Sequence, residues 1–268
     1  MKITVLMIIP VLLFVTACSS LPSGQGKMPS GPSVKGEKIA AALKARGDYR
    51  GAAELYHKLL RKHPGRPDLW LTYSDILYKL ADYKAAADAY ETVLEFGNRT
   101  CEPLVGLGKS YLRLSRPSEA LSHLTYCLKR SPNNKTALKL MAIVQDLSGS
   151  PAQSHAYYRQ AIAADPADVA LQNNYGLSLM LAGHYDQAIT VLSKIAFGRS
   201  STVRMRQNLA LAYGLQGDEL AAENLIALDF PDDVVKSNLR HYRLVRHLKD
   251  ENGIRSLLAE GGERVSGY

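Results

Sequence analysis

Cysteine is scarce: 268 residues carry three, and there is one tryptophan and four phenylalanines against fifteen tyrosines. So few cysteines cannot build a cross-linked mini-scaffold, and the fold must come from packing. No histidine lies three or four residues from another, and His241 and His247 fall on different faces of a helix, so the spacing of a helical metal site is missing. A nucleophile elbow, a Gly-rich phosphate loop and a paired-acid motif are missing as well. These absences leave no positive ground for an enzyme, a metal or a cofactor. The basic excess, a formal net charge of +8, is spread over the sequence apart from a cluster near the C-terminus. That distribution disfavours nucleic acid as a partner.

Long apolar runs are confined to the start. Ile3–Val15 is apolar behind the single charge of Lys2, and it is too short to span a bilayer comfortably. Met1–Ala17 reads as a secretory signal peptide. Val15-Thr16-Ala17-Cys18 resembles the bacterial lipobox, which implies cleavage before Cys18, acylation of that cysteine and, with Ser19 following, sorting to the periplasmic face of the outer membrane. Residues 18–33 are then a lipidated Cys18 and a flexible tether, rich in Ser, Pro and Gly and unable to pack. Acyl chains would hold the protein firmly, at about 0.8 kcal/mol per buried methylene.

The remainder is organised by a 34-residue step. Val169–Thr202 has Tyr175, Gly176, Leu179, Gly183, Tyr185, Ala188 and Leu192. Counted from Val169, these place an aromatic at 7, glycine at 8, leucine at 11, glycine at 15, alanine at 20 and leucine at 24, the tetratricopeptide pattern of two antiparallel helices per unit. Positions 4, 7, 8 and 11 share one face of the first helix, and 20, 24 and 27 one face of the second. Positions 8 and 20 are expected to be small because the helices touch there, and position 15 to allow a turn. Units starting at Ser33, Pro67, Cys101, Lys135, Val169 and Val203 keep the same phase without gaps. The expectation is all-α: a right-handed superhelical solenoid of about six helix pairs over residues 34–236, with a capping helix and tail over 237–268. Stacked units bury a continuous core and need a cap on the last open face. Leu239, Tyr242, Val245 and Leu248 supply one at helical spacing, with Lys236, Arg240, Arg243, Arg246 and Lys249 on its other face.

First helices line the concave surface of such a stack. The inward positions of the last three repeats include Lys139, Asn173, Asn174, Leu177, Leu181, Arg204, Gln207, Asn208 and Leu211. An amide can both donate to and accept from a peptide unit, and Asn174 and Asn208 occupy position 6, where peptide-binding tetratricopeptide domains often carry asparagine. This predicts a partner groove there. The alternative is that both asparagines bond between helices and the leucines pack against the next repeat. Asp68, Asp75, Lys79, Glu102, Lys109 and Arg113, on the N-terminal half, read as a solvated face. Cys101 and Cys127, at positions 1 and 27 of one unit, are placed for a disulfide; a buried thiol at 127 with an unrelated Cys101 is the alternative.

Two stretches carry a narrower resemblance. Arg206-Gln207-Asn208-Leu209-Ala210-Leu211-Ala212-Tyr213-Gly214-Leu215-Gln216-Gly217-Asp218, and Asp229-Phe230-Pro231 followed by Asn238-Leu239-Arg240-His241-Tyr242-Arg243, resemble the TadD lipoproteins of the Tad (tight adherence, Flp pilus) system. The likeness covers roughly Lys135–Arg246, while Ile254–Tyr268 has no counterpart in it. It implies a non-enzymatic assembly factor that binds the pilus secretin, or another Tad component, at the membrane. Other lipoproteins built of these repeats (type IVa pilotins, barrel-assembly lipoproteins) and periplasmic adaptors recruiting peptidoglycan enzymes are the competing classes.

Overall fold

A computed structural model describes residues 35–248. The expected signal peptide and tether, Cys18, Lys249 and the tail lie outside the described residues. The described residues form thirteen α-helices without a strand. Six antiparallel pairs come first: α1 (Lys35–Ala45) with α2 (Tyr49–Lys62), α3 (Pro67–Lys79) with α4 (Tyr83–Glu95), and α5 (Cys101–Arg113) with α6 (Pro117–Arg130). Then follow α7 (Lys135–Leu147) with α8 (Pro151–Ala164), α9 (Val169–Leu181) with α10 (Tyr185–Ser193), and α11 (Val203–Gln216) with α12 (Glu219–Ile226). The last helix, α13 (Asp232–Leu248), begins five residues before Ser237, the start the sequence suggested. Each helix packs on the next in sequence order, as stacked repeats require.

Position 15 is where each pair turns. Gly47, Ala81, Ser115, Gly149, Gly183 and Gly217 occupy it, and all six have positive φ, at 81°, 60°, 58°, 68°, 76° and 111°. A left-handed residue ends the first helix, which is why glycine predominates. The next residue starts the second helix. Asp48, Asp82 and Asp218 each accept a hydrogen bond from the backbone N–H three residues on, at 2.9, 3.1 and 3.0 Å. Such caps satisfy a donor that the helix itself leaves open.

The residues at position 20 (Ala52, Ala86, Ala120, Ser154, Ala188 and Ala222) are all fully buried. Position 24 carries the bulk: Tyr56, Tyr90, Leu124, Tyr158, Leu192 and Ile226, each at most 6% exposed. Position 8 is small for a reason the repeat pattern did not specify. A Cβ on Gly108 would lie 2.7 Å from Leu124, and one on Gly176 2.5 Å from Leu192. At Gly108 and Gly176, position 8 therefore seats the large residue at 24.

The core is laid down locally along the stack, in three successive clusters of buried side chains. At its end α13 buries Val235, Leu239, Tyr242 and Val245. A Cβ on Gly214 would lie 2.3 Å from the Tyr242 ring, so the cap rests directly on the α11 backbone. Arg246 Nη1 donates to the Gly214 carbonyl at 3.2 Å, satisfying an acceptor near the end of α11. No helix among the described residues is long and apolar enough to cross a membrane.

Candidate functional site

The first helices approach one another along the stack: α3 meets α5, α5 meets α7, α9 meets α11 and α11 meets α13, with no comparable pairing between second helices. The stack therefore curves with its first helices inside, and their inward positions form the concave surface.

On the C-terminal half of that surface the predicted groove residues separate. Asn208 Nδ2 donates to Asn173 Oδ1 at 2.8 Å, linking α11 to α9. Asn173 is only 8% exposed, so its amide is committed to this joint, while Asn208 is half-buried. Leu211 is 4% exposed and belongs to the C-terminal core, which corrects its place in the groove. The cause is the cap, since α13 packs on α11 and covers its inward side around Gly214. Asn174, Leu177, Leu181 and Gln207 remain half-buried, and Arg204 is exposed. Lys139 Nζ pairs with Asp168 Oδ2 at 3.2 Å, while Asp168 Oδ1 caps α9 by accepting from the Leu171 N–H at 2.8 Å. What the structure leaves reachable is thus a narrower strip centred on Asn174, Leu177 and Leu181.

The residues that carry the TadD resemblance form a joint. Arg206 donates twice to Asp229, from Nε at 2.8 Å and from Nη2 at 2.6 Å. The guanidinium holds the Asp229 carboxyl below the usual carboxylate range. This fork fixes the turn before α13 against α11. Arg243 and Arg246 both reach Glu219 at the start of α12, at 2.7 and 3.0 Å. Two cations of the C-terminal basic face are therefore committed to holding the cap.

Between α7, α8 and α9 lies a partly buried polar knot. Ser178 Oγ donates to Asp146 Oδ1 at 2.6 Å, Tyr158 Oη donates to Asp146 Oδ2 at 3.1 Å, and the Ser154 and Ser178 hydroxyls lie 3.4 Å apart. This explains serine at position 20 of the fourth repeat, where the others have alanine. His155, 7% exposed, sits beside the knot with its ring edge-on to Tyr175 and His184. Its Nε2 is buried without a hydrogen-bond partner. Burial pushes the His155 pKa down, against the pull of nearby Asp146. Serine, histidine and aspartate meet here, yet the hydroxyls bond to each other and to Asp146 and not to the imidazole, so no base addresses a nucleophile.

Cys101 and Cys127 are bonded, with Cα atoms 4.9 Å apart, tying the start of α5 to the end of α6. Among the described residues there is no group of three metal-ligating side chains.

The N-terminal half of the concave surface holds a cleft of about 330 Å³ where the sequence suggested only a solvated face. Asp75, Tyr90, Glu102, Gly106 and Lys109 line it. Tyr90 Oη donates to Asp75 Oδ1 at 2.5 Å across its floor. A Cβ on Gly106 would lie 2.3 Å from the Tyr90 ring, so the ring lies against bare α5 backbone. A glycine inside a predicted helix was the one available signal of this close approach.

Tetratricopeptide-repeat family models match residues 43–101 and 147–202. The fold is an all-α tetratricopeptide-repeat solenoid. A similar curated protein, y4yS of Sinorhizobium fredii, is 34% identical over 83 residues, 31% of this chain and 46% of its own. The chain spans less than half the length of the curated relatives it matches. Three solved structures share the fold at low identity. PilW, described as a widely conserved type IV pilus biogenesis factor, is 18% identical with a TM-score of 0.65, over 83% of this chain and 96% of PilW. Pseudomonas aeruginosa pilF is 16% identical with a TM-score of 0.61, over 83% and 95%. YrrB, described as having an unusual peptide-binding site, is 16% identical with a TM-score of 0.58, over 70% and 99%.

Proposed function

We propose that the protein is a non-enzymatic assembly scaffold of a Tad-type (Flp pilus) secretion system, lipid-anchored at Cys18 on the periplasmic face of the outer membrane. Its partner is a segment of the secretin, or of another Tad component, held on the concave face. The observation that carries the reading is that face itself: a row of first helices from α3 to α11, with Asn174, Leu177 and Leu181 open to a ligand and no nucleophile–base pair in the polar knot beneath. Amides meet a peptide backbone and leucines select its side chains. Anchoring scaffold and partner at one membrane raises their effective concentration, so a modest affinity suffices.

The likeness to PilW supports a pilus context and also favours a second reading, a pilotin-like factor of a type IV pilus. Crosslinking in the native envelope, followed by capture of the lipidated protein and mass spectrometry, separates them. Recovery of a Tad component supports the first reading, recovery of a type IV pilus secretin the second. Recovery of barrel-insertion or peptidoglycan enzymes alone overturns both.

A further inference from the structure

Phenylalanine is rare in this chain, and all three among the described residues stand in connections leading from a second helix to the next first helix. Phe230 packs on the C-terminal core, but Phe96 is 45% exposed and Phe197 64%. Leu228, in the last connection, is 62% exposed. In antiparallel pairs these connections share one edge of the stack, the edge at which the first helices start. α1 starts there too, at Lys35.

The last two connections are locked to each other. The Ser201 hydroxyl donates to the Ala196 carbonyl, and Arg206 Nη1 donates to Ser201 Oγ at 3.3 Å. The same guanidinium holds Asp229 through Nε and Nη2. Phe197 and Leu228 are the chain neighbours of the two ends of this clamp, so fixed backbone presents both. At their exposure they project into water rather than line a groove, and covering them is favourable. A rigid partner must supply a matching pocket for each, whereas a bilayer interface deforms around both.

The charge around them has one sign. From residue 187 to 217 the chain has no aspartate or glutamate, and it has Lys194, Arg199, Arg204 and Arg206. Lys194 and Arg199 flank Phe197, are exposed, and form no ion pair with another described residue. In the neighbouring connection Asp229 is neutralised by Arg206. Asp232 and Asp233 lie in the first turn of α13, where the helix dipole favours them, and Lys236 stands one turn further on. An apolar tip between unpaired cations suits an anionic lipid surface: the apolar side chains enter the acyl boundary and the cations stay with the headgroups.

We propose that this edge of the solenoid lies against an anionic bilayer, with Phe197 and Leu228 in the headgroup–acyl boundary and Lys194 and Arg199 on the lipid phosphates. The inference rests on the membrane placement proposed above and adds an orientation to it. The helices of the C-terminal repeats stand on the membrane, and the strip of Asn174, Leu177 and Leu181 opens along it.

The test places the full-length acylated protein on vesicles of phosphatidylethanolamine with phosphatidylglycerol, or of phosphatidylcholine alone. With Cys101 and Cys127 bonded and Cys18 acylated, a single introduced cysteine takes a nitroxide label. In Phe197→Cys the apolar label stands in for the ring. In Gln187→Cys it sits at the other, exposed end of α10. Collision with oxygen against a water-soluble nickel complex reads depth. On phosphatidylglycerol vesicles the oxygen-to-nickel ratio at 197 should exceed that at 187 by about threefold or more. It should fall to the value at 187 on phosphatidylcholine, and also when Lys194→Glu and Arg199→Glu are added. Equal ratios at 197 and 187 on phosphatidylglycerol overturn the proposal. So does a high ratio at 197 that ignores both lipid charge and charge reversal, and so does dipolar broadening at 197 that grows with protein density, which identifies a second copy as the occupant. Should the charge-reversed variant not fold, the comparison of the two vesicle types decides alone. Flotation separates this inference from the anchor. Protein that floats with both vesicle types while label 197 stays in water keeps the anchor and sinks the edge. Protein that floats only with phosphatidylglycerol, and not after charge reversal, keeps the edge and sinks the anchor. Protein that floats with neither sinks both.

Discussion

Exchanging residues at position 15 should move stability in opposite directions at two sites. Ala81 holds φ 60° and Gly183 φ 76°, each between the helices of its pair. A left-handed conformation costs an L-residue about 1–2 kcal/mol. Glycine escapes that cost but gives the unfolded state more freedom, worth about 0.5–1 kcal/mol. The difference is about 0.5–1 kcal/mol in favour of glycine wherever the left-handed turn is obligatory. Ala81→Gly should therefore stabilise the protein by that amount, and Gly183→Ala should destabilise it by the same. A Cβ on Gly183 meets nothing within 4 Å, so no clash adds to the backbone effect. Urea denaturation followed by far-ultraviolet circular dichroism reads both as midpoint shifts at unchanged slope. In a heat melt each kcal/mol corresponds to about 2–4 °C for a protein of this size. An Ala81→Gly variant no more stable than the parent, or a neutral Gly183→Ala, would show that the turns are not held left-handed and refute the reasoning.

Other variants probe the joints. Asn208→Ala removes the bond to buried Asn173 and should cost about 1–3 kcal/mol, whereas Asn174→Ala should shift stability by no more than about 0.5 kcal/mol; comparing their melts checks the assignment of joint and surface. Replacing both Cys101 and Cys127 by serine opens a link spanning 26 residues and should cost about 3–4 kcal/mol, measured against the oxidised parent. His155 is held neutral by burial, its folded pKa lying below an unfolded value of about 6.5. Its contribution is therefore present above pH ~6.5 and lost as pH falls below that toward the folded pKa, because the unfolded state takes up the proton first. Midpoints measured across that range should decline on acidification, and His155→Gln should flatten the decline by its share, leaving that of His123, whose pKa is likewise lowered by burial.

The repeat register was legible because the same contact recurs every 34 residues, and six copies of a turn or a seat impose six copies of a residue class. Position 15 shows this best, with glycine, alanine and serine all in one conformation. The partner of position 8 was not legible. Periodicity assigns a residue to a face without saying which neighbour reaches across to it, and Leu192 meets Gly176 from the adjoining helix. The extent of the groove was hidden for a related reason. Leu211 has an inward position, but α13 lies over that end of α11 and turns surface into core. The N-terminal cleft depends on Tyr90 crossing from the preceding repeat onto Gly106, a contact between units that a pattern within one unit does not contain.

The central claim is that a partner segment lies along the first helices, and site-specific photocrosslinking in the native envelope tests it most directly. A photoreactive residue at Leu177, on the inner strip, should capture an envelope protein of the pilus machinery. The same residue at Tyr126, exposed on the second helix α6, should not. Capture from Tyr126 and none from Leu177 would place the partner on the outer face and contradict the account.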